Sequence, residues 1–408
     1  MGTTLALNMY ASAGVGVLAL LLGMALTRYI PFLKRFCIPA PVTGGLIISL
    51  ATLLLYSVWG IECSFDGTIK DICMMLFFTS VGFQCDLFAI RKGGRLMVIM
   101  VILVAVLITV QNFISVGIAK GLGLSPLLGM AAGSIPMCGG HGTSGGFSPL
   151  LEQMGLQGAS SITMAAATFG LVAGSLIGGP LAELLIHRHR LASQSTKDDV
   201  MKGVEAIEAG IQNKTDISKE KAFREYLTAT CQLLIAMALG SGISYLLAMT
   251  GITFPTYFGA LLAAFAMRNL LGLSPRLAKG LCVGRIISIG DICLLLFLGM
   301  AMASLRLWEL ASMALPLLLI LICQMAFMAL YAAFVAFPIM GKSYNSAALV
   351  SGLVGFGLGA TPNAMANMSA VCLKYRYTAV PFIIVPIIGA MFVDIINTGI
   401  ITIFLNLI

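Results

Sequence analysis

The chain has 408 residues, of which 59% are hydrophobic and 10% charged, with a mean hydropathy of +1.01 and a formal net charge of +8. So little charge cannot cover the surface of a soluble domain, and no nucleic-acid partner is expected. Apolar runs of about 20 residues recur, each long enough to cross a hydrocarbon core of roughly 30 Å, so a polytopic helical membrane protein is expected.

In chain order, spans are expected at 8–27, 41–59, 72–90 and 96–118. The first has no cationic start and no small-residue cleavage pattern, so it reads as a retained helix. The next segment, about 126–151, is apolar but too rich in Gly, Pro, Ser and Thr for an ordinary crossing helix. It reads as a re-entrant hairpin, entering and leaving on one side. A fifth span follows at 160–186. The segment from His187 to Tyr226 is hydrophilic, with Asp198, Asp199, Glu205, Glu208, Asp216, Glu220 and Glu225 among its basic residues, and reads as a cytoplasmic linker with an amphipathic helix. Spans are then expected at 227–249, 255–271, 286–305 and 310–340, a second hairpin at about 346–372, and a last span at 378–407. The fold class is thus an all-α polytopic membrane protein with ten transmembrane helices. The ten cysteines lie mostly in apolar segments without CxxC spacing and read as small packing residues.

This scheme puts 21 of the 24 Lys and Arg on one side, leaving Lys70, Lys120 and Arg306 on the other. By the positive-inside rule the rich side is cytoplasmic. Both termini then face outward, with the first hairpin opening outward and the second inward.

The halves 1–186 and 227–408 resemble each other. DICMMLFFTSVGF at Asp71 matches DICLLLFLGMAMA at Asp291, PVTGGLIIS at Pro41 matches PTYFGALLAA at Pro255, and the two glycine-rich hairpins correspond. Five spans is an odd number, so the second repeat must be inverted. Inverted repeats with broken backbone near the midplane are characteristic of secondary transporters, though a channel can share the architecture.

Gly133–Gly146 holds six glycines and Gly352–Gly359 holds four. Non-helical backbone at membrane depth is tolerated only where protein buries it or it lines a wet cavity, so the two turns are expected at the floor of a substrate cavity. Free amides there suit a carboxylate, and freed carbonyls suit Na⁺. Thr143, Ser144, Thr361, Asn363 and Asn367 add side-chain donors and oxygens. His141 either bonds the substrate or pins the loop. A zinc site is not expected, because His187 and His189 belong to the linker.

Among the acids, Asp394 in MFVDIINT is the deepest, and with Asn397 one turn on it is a candidate for Na⁺ or a substrate ammonium. Asp71 and Asp291 read as N-terminal caps, and Asp86 and Glu183 as interfacial. Lys374 and Arg376 are candidate cationic partners of a carboxylate, weighed against snorkelling anchors. No P-loop, HExxH or nucleophile elbow is present, so no enzyme is expected and any driving force comes from an ion gradient.

GGHGT at 139–143, ATFGLVAGSLIGGP at 167–180, LRLWELASMALP at 305–316, GFGLGATPNAMANM at 355–368 and VPIIGAMFVDIIN at 385–397 resemble bacterial sodium/glutamate symporters. The likeness runs in order over the chain apart from the central segment. It implies Na⁺-coupled uptake of L-glutamate across the bacterial inner membrane, in the structural class of the 2-hydroxycarboxylate transporters. No cofactor is implied beyond Na⁺ as coupling ion. It further implies a homodimer in which a static domain holds a mobile one that carries the hairpins in an elevator-like motion. By this resemblance Gly139, Gly140, His141, Gly142, Thr143 and Ser144, with Gly357 to Asn363 including Gly359 and Thr361, form the substrate and ion region. Cys138 stands where the resemblance leads one to expect serine. The alternatives are a Na⁺-coupled carrier of another small carboxylate or dicarboxylate, and a passive channel.

Overall fold

A computed structural model of the chain describes residues 3–87, 94–191, 219–251, 253–274, 278, 280–311, 313–375 and 378–408. Arg91, Lys92, Arg276, Lys279, Arg376 and most of the expected linker, 192–218, lie outside the described residues.

β1 (Thr3–Leu7) leads into α1 (Met9–Tyr29), whose first turn is capped by Asn8, its Oδ1 accepting the Ala11 amide at 2.9 Å. After a short α2 (Pro31–Arg35), α3 (Ala40–Trp59) returns and stops at Gly60, a left-handed residue at φ +65°. β2 (Ile61–Phe65) then leads into α4 (Thr68–Gln84). The strands modify the all-helical expectation: β1 and β2 pair in parallel, from Thr3 with Ile61 to Leu7 with Phe65. Both enter helices that start at the same side, and the α1–α3 excursion supplies the crossover that a parallel pair requires.

α5 (Gly94–Gly121) precedes three short helices, α6 (Pro126–Ala131), α7 (Ser134–Met137) and α8 (Gly140–Gln153), which occupy the first expected hairpin. Next come α9 (Ala159–Arg188), α10 (Lys219–Ala248), α11 (Phe258–Gly272), α12 (Val283–Ala303) and α13 (Leu307–Ala311). α14 (Ala314–Tyr331) runs through a π-helical turn, Ala332–Ala336, to Ile339. α15 (Tyr344–Gly357) and α16 (Thr361–Tyr375) occupy the second expected hairpin. α17 (Ala379–Ile387) joins α18 (Val393–Leu407) through a second π turn, Ile388–Phe392. Among the described residues, seven helices are long and apolar enough to cross a membrane: α1, α3, α5, α9, α10, α12 and Ala314–Ile339. This is a multi-pass helical membrane protein.

The helices pack in two groups. α1, α3, α4, α10, α11 and α12 form one, with α4 against α11 and α12, and α3 and α1 against α12. Glycine sets how closely they approach. A Cβ at Gly23 would sit 1.7 Å from the Ala40 carbonyl oxygen, and one at Gly44 would sit 1.8 Å from that of Ala19, so α1 and α3 touch backbone to backbone. The second group comprises α5, both broken segments, α9, α14 and α17–α18, with α9 packed against α8, α15 and α16.

Candidate substrate and ion site

The first broken segment interrupts its helix twice. The Gly133 backbone leaves helical geometry, with φ −88° and ψ −140°, and Gly140 takes φ +58° at the first position of α8. A non-glycine residue is strained at a positive φ of this size. α8 starts at Gly140 without a side-chain cap, so its leading amides have no intrahelical partners. In the second segment α15 ends at Gly357, Ala360 N–H donates back to the Gly355 carbonyl at 3.1 Å, and α16 restarts at Thr361-Pro362. Proline at this second position gives up only an amide that the helix leaves unpaired anyway.

These two helix starts meet. A Cβ at Gly140 would lie 3.0 Å from the Gly359 carbonyl oxygen. Beside them lies a cavity of about 320 Å³, lined by Gly139, Gly140, His141, Gly142 and Thr143 of the first tip and by Gly359, Ala360, Thr361 and Pro362 of the second. Asp394, in the first turn of α18, lines it too, with Val393 and with Gly389 from the preceding π turn. Phe77, Asp291, Leu294 and Leu298 close it from α4 and α12. No Lys or Arg is among the described residues that line it. The groups there that suit an anion are amides, hydroxyls and helix N-termini.

The residues singled out from the sequence divide into two sets. Gly139 to Thr143, Gly359, Thr361 and Asp394 reach the cavity. Thr143 is 1% exposed, and its buried hydroxyl has no hydrogen-bond partner. The remainder tie helices together. Ser144 Oγ donates to the Thr163 carbonyl at 3.3 Å, Asn363 Nδ2 to that of Leu171 at 2.8 Å, and Asn367 Nδ2 to that of Gly174 at 3.0 Å, all on α9. Asn397 Nδ2 donates to the Ser134 carbonyl at 3.1 Å. These amides belong to the packing of the broken segments and α18 against their neighbours, not to the cavity lining.

His141 does both. It lines the cavity, and its Nε2 lies 3.0 Å from Thr168 Oγ1. The single proton of the Thr168 hydroxyl goes to the Met164 carbonyl at 2.9 Å, so Thr168 accepts and His141 Nε2 carries the hydrogen. The ring is thus anchored to α9 while Nδ1 keeps its lone pair.

Asp291 does not sit where its repeat partner does. Asp71 occupies the first turn of α4 as expected, but α12 starts at Val283 and carries Asp291 in its interior, facing the cavity. Asp66 and Gly67 break the chain just before α4, whereas the sequence from Val283 to Gly290 lets α12 begin earlier. Lys374 is likewise not a cavity group: its Nζ pairs with Glu183 on α9. Asp86 pairs with Arg268 at 3.0 Å. Sequence reasoning did not single out the π turn at Gly389, whose signals were Pro386 and a glycine inside an apolar run. Nor did it single out Gln111, one of two adjacent amides with Asn112 in the apolar run of α5.

The sequence was compared with known proteins. The family model described as Sodium/glutamate symporter matches residues 5–377. The sodium/glutamate symporters of Escherichia coli (strain K12) and of Shigella flexneri are each 40% identical over 405 residues, covering 98% of this chain and 98% of the relative. The sodium/glutamate symporter of Haemophilus influenzae is 36% identical over 391 residues, covering 96% of this chain and 95% of the relative. Similarity of this extent takes in both broken segments and α18, and the chain belongs to the sodium/glutamate symporter family.

Proposed function

We propose that the chain is a secondary transporter that couples the inward movement of Na⁺ to uptake of L-glutamate across a bacterial inner membrane, with the substrate held between the two broken segments. The observation that carries this reading is the convergence of two helix starts on a cavity that also holds Asp394 and has no Lys or Arg among its described lining residues. The full-length relatives named for sodium and glutamate support it independently.

Glutamate presents two carboxylates and one ammonium. The amides at Gly140 to Gly142, with the hydroxyls of Thr143 and Thr361, suit the carboxylates. Asp394 suits the ammonium or Na⁺. A cavity with carboxylates at Asp291 and Asp394 and no Lys or Arg among its described lining residues disfavours a lone anion, so the substrate enters with cations. That electrostatic requirement is the physical basis of coupling.

The architecture in this reading is two inverted five-helix repeats, ten spans in all, with both hairpins re-entrant. Packing supports it: the second helix of each half, α3 or α11, lies against the third helix of the other, α12 or α4. Cys37, Pro39 and Gln84, from chain ends that the charge distribution assigns to the cytoplasm, line the cavity, so it faces inward here. Both termini are then outside. The group of α1, α3, α4, α10, α11 and α12 is the static domain of a homodimer, and the hairpin group moves against it as an elevator.

Binding of labelled L-glutamate to the purified protein, with unlabelled glutamate, aspartate, citrate and malate as competitors, tests the substrate. Displacement by glutamate at the lowest concentration, and only with Na⁺ present, is expected. Better displacement by another carboxylate would remove glutamate from the reading.

A further inference from the structure

Gln111 interrupts the apolar run of α5 and is fully buried. An amide at that depth has no water to turn to and must find its partners in the protein. Its partners are the two hairpins. Nε2 donates to the Gly357 carbonyl at 2.8 Å, and Oε1 accepts from the Cys138 thiol at 3.3 Å. Gly357 is the last residue of α15, so its carbonyl is one that the helix end leaves without an intrahelical partner. Cys138 immediately precedes Gly139, and its sulfur lies 3.6 Å from the same Gly357 carbonyl oxygen. One planar amide therefore spans the residue ahead of the first tip and the residue ahead of the second.

The bridge is held from behind. The Gln111 backbone carbonyl accepts from Gln324 Nε2 of α14 at 2.7 Å and from Ser115 Oγ at 2.9 Å. On the far side Gly357 has little room: a Cβ there would lie 3.0 Å from Leu107 Cδ2 and 3.1 Å from Met328 Cε. Movement of either tip must carry the amide with it, or break one of its bonds and leave a buried polar group unpaired.

We propose that Gln111 is a positioning residue that couples the two hairpins, so that cation binding at the cavity is transmitted to the geometry of both tips that receive the substrate. This rests on the reading of the cavity as a Na⁺ and glutamate site. Gln111 does not itself line the cavity, and its effect runs through Cys138 and Gly357.

The test is the factor by which Na⁺ tightens binding of labelled L-glutamate to the purified full-length protein. The parent is measured first; if its binding ignores Na⁺, the transport reading fails before Gln111 is examined. Gln111→Leu keeps the volume and removes both polar atoms. It is expected to reduce the Na⁺ factor at least about fivefold, the lower end of coupling between sites in proteins. Tyr331→Phe, which removes a buried hydrogen bond from α14 to the Leu103 carbonyl of α5 but no bond of Gln111 or of either tip, is expected to leave the factor as in the parent. If Gln111→Leu yields no folded protein, Gln111→Asn, too short to span both partners, is measured in its place with the same expectation. An unchanged Na⁺ factor in the Gln111 variant, or an equal loss in Tyr331→Phe, would overturn the proposal.

Discussion

Asp394 and Gly140 show how differently two residues of one site can be constrained. Asp394 is a carboxylate in a cavity with no Lys or Arg among its described lining residues, which makes its charge a candidate partner for a mobile cation. Asp394→Asn keeps the shape and removes that charge. The Na⁺ concentration for half-maximal glutamate uptake is expected to rise at least about tenfold, equivalent to ~1.4 kcal/mol, and an unchanged value would remove Asp394 from the cation site. Gly140 matters through its backbone. At φ +58°, alanine costs roughly 1–2 kcal/mol, and its methyl group would press on the Gly359 carbonyl 3.0 Å away. Gly140→Ala is therefore expected to weaken glutamate binding by separating the tips, which a titration against the parent would show. Neither effect depends on direct contact between the substituted side chain and the substrate carbon skeleton.

At the scale of elements, the breaks in the two glycine-rich segments were legible in the sequence and their internal wiring was not. Glycine density with Pro136 and Pro362 marks where helices break, because those residues lower helix stability wherever they stand. The asparagines were harder to place. Asn363 and Asn367 lie in the same motif as Thr361, but helix rotation after Pro362 turns both toward α9, where they satisfy carbonyls of Leu171 and Gly174. Which face of a short helix meets a neighbour is set by tertiary packing, and motif spacing does not contain it. Asn367→Ala removes the donor to Gly174 O and leaves a buried carbonyl short of a partner. A loss of about 1–3 kcal/mol is expected, read as a lower thermal unfolding midpoint, and an unchanged midpoint would contradict the structural role. The π turn before Asp394 illustrates the same limit. Pro386 announces a disturbed ladder, yet only the packing of Thr361 on Gly389, where a Cβ would lie 2.6 Å from Thr361 Oγ1, shows why the helix widens there.

For the whole molecule, length and hydropathy bounded the class correctly, and the boundaries of most helices fall within a few residues of their expected positions. Span counting was less direct, since α4 and α11, at 17 and 15 residues, are shorter than an average crossing helix. The small parallel sheet escaped notice because five-residue strands give little periodic signal beside apolar helices. Two groups of helices meet at the cavity, one holding its walls from α4 and α12 and one holding both tips, and the proposed alternating access would be a relative movement of these groups. The central claim is that this cavity moves glutamate only together with Na⁺. It is tested most directly by reconstituting the protein in liposomes and following labelled L-glutamate with and without an inward Na⁺ gradient. Accumulation above the external concentration, present with the gradient and collapsing when Na⁺ is equalised, is the predicted result; equilibration that proceeds at the same rate without Na⁺ would contradict the account.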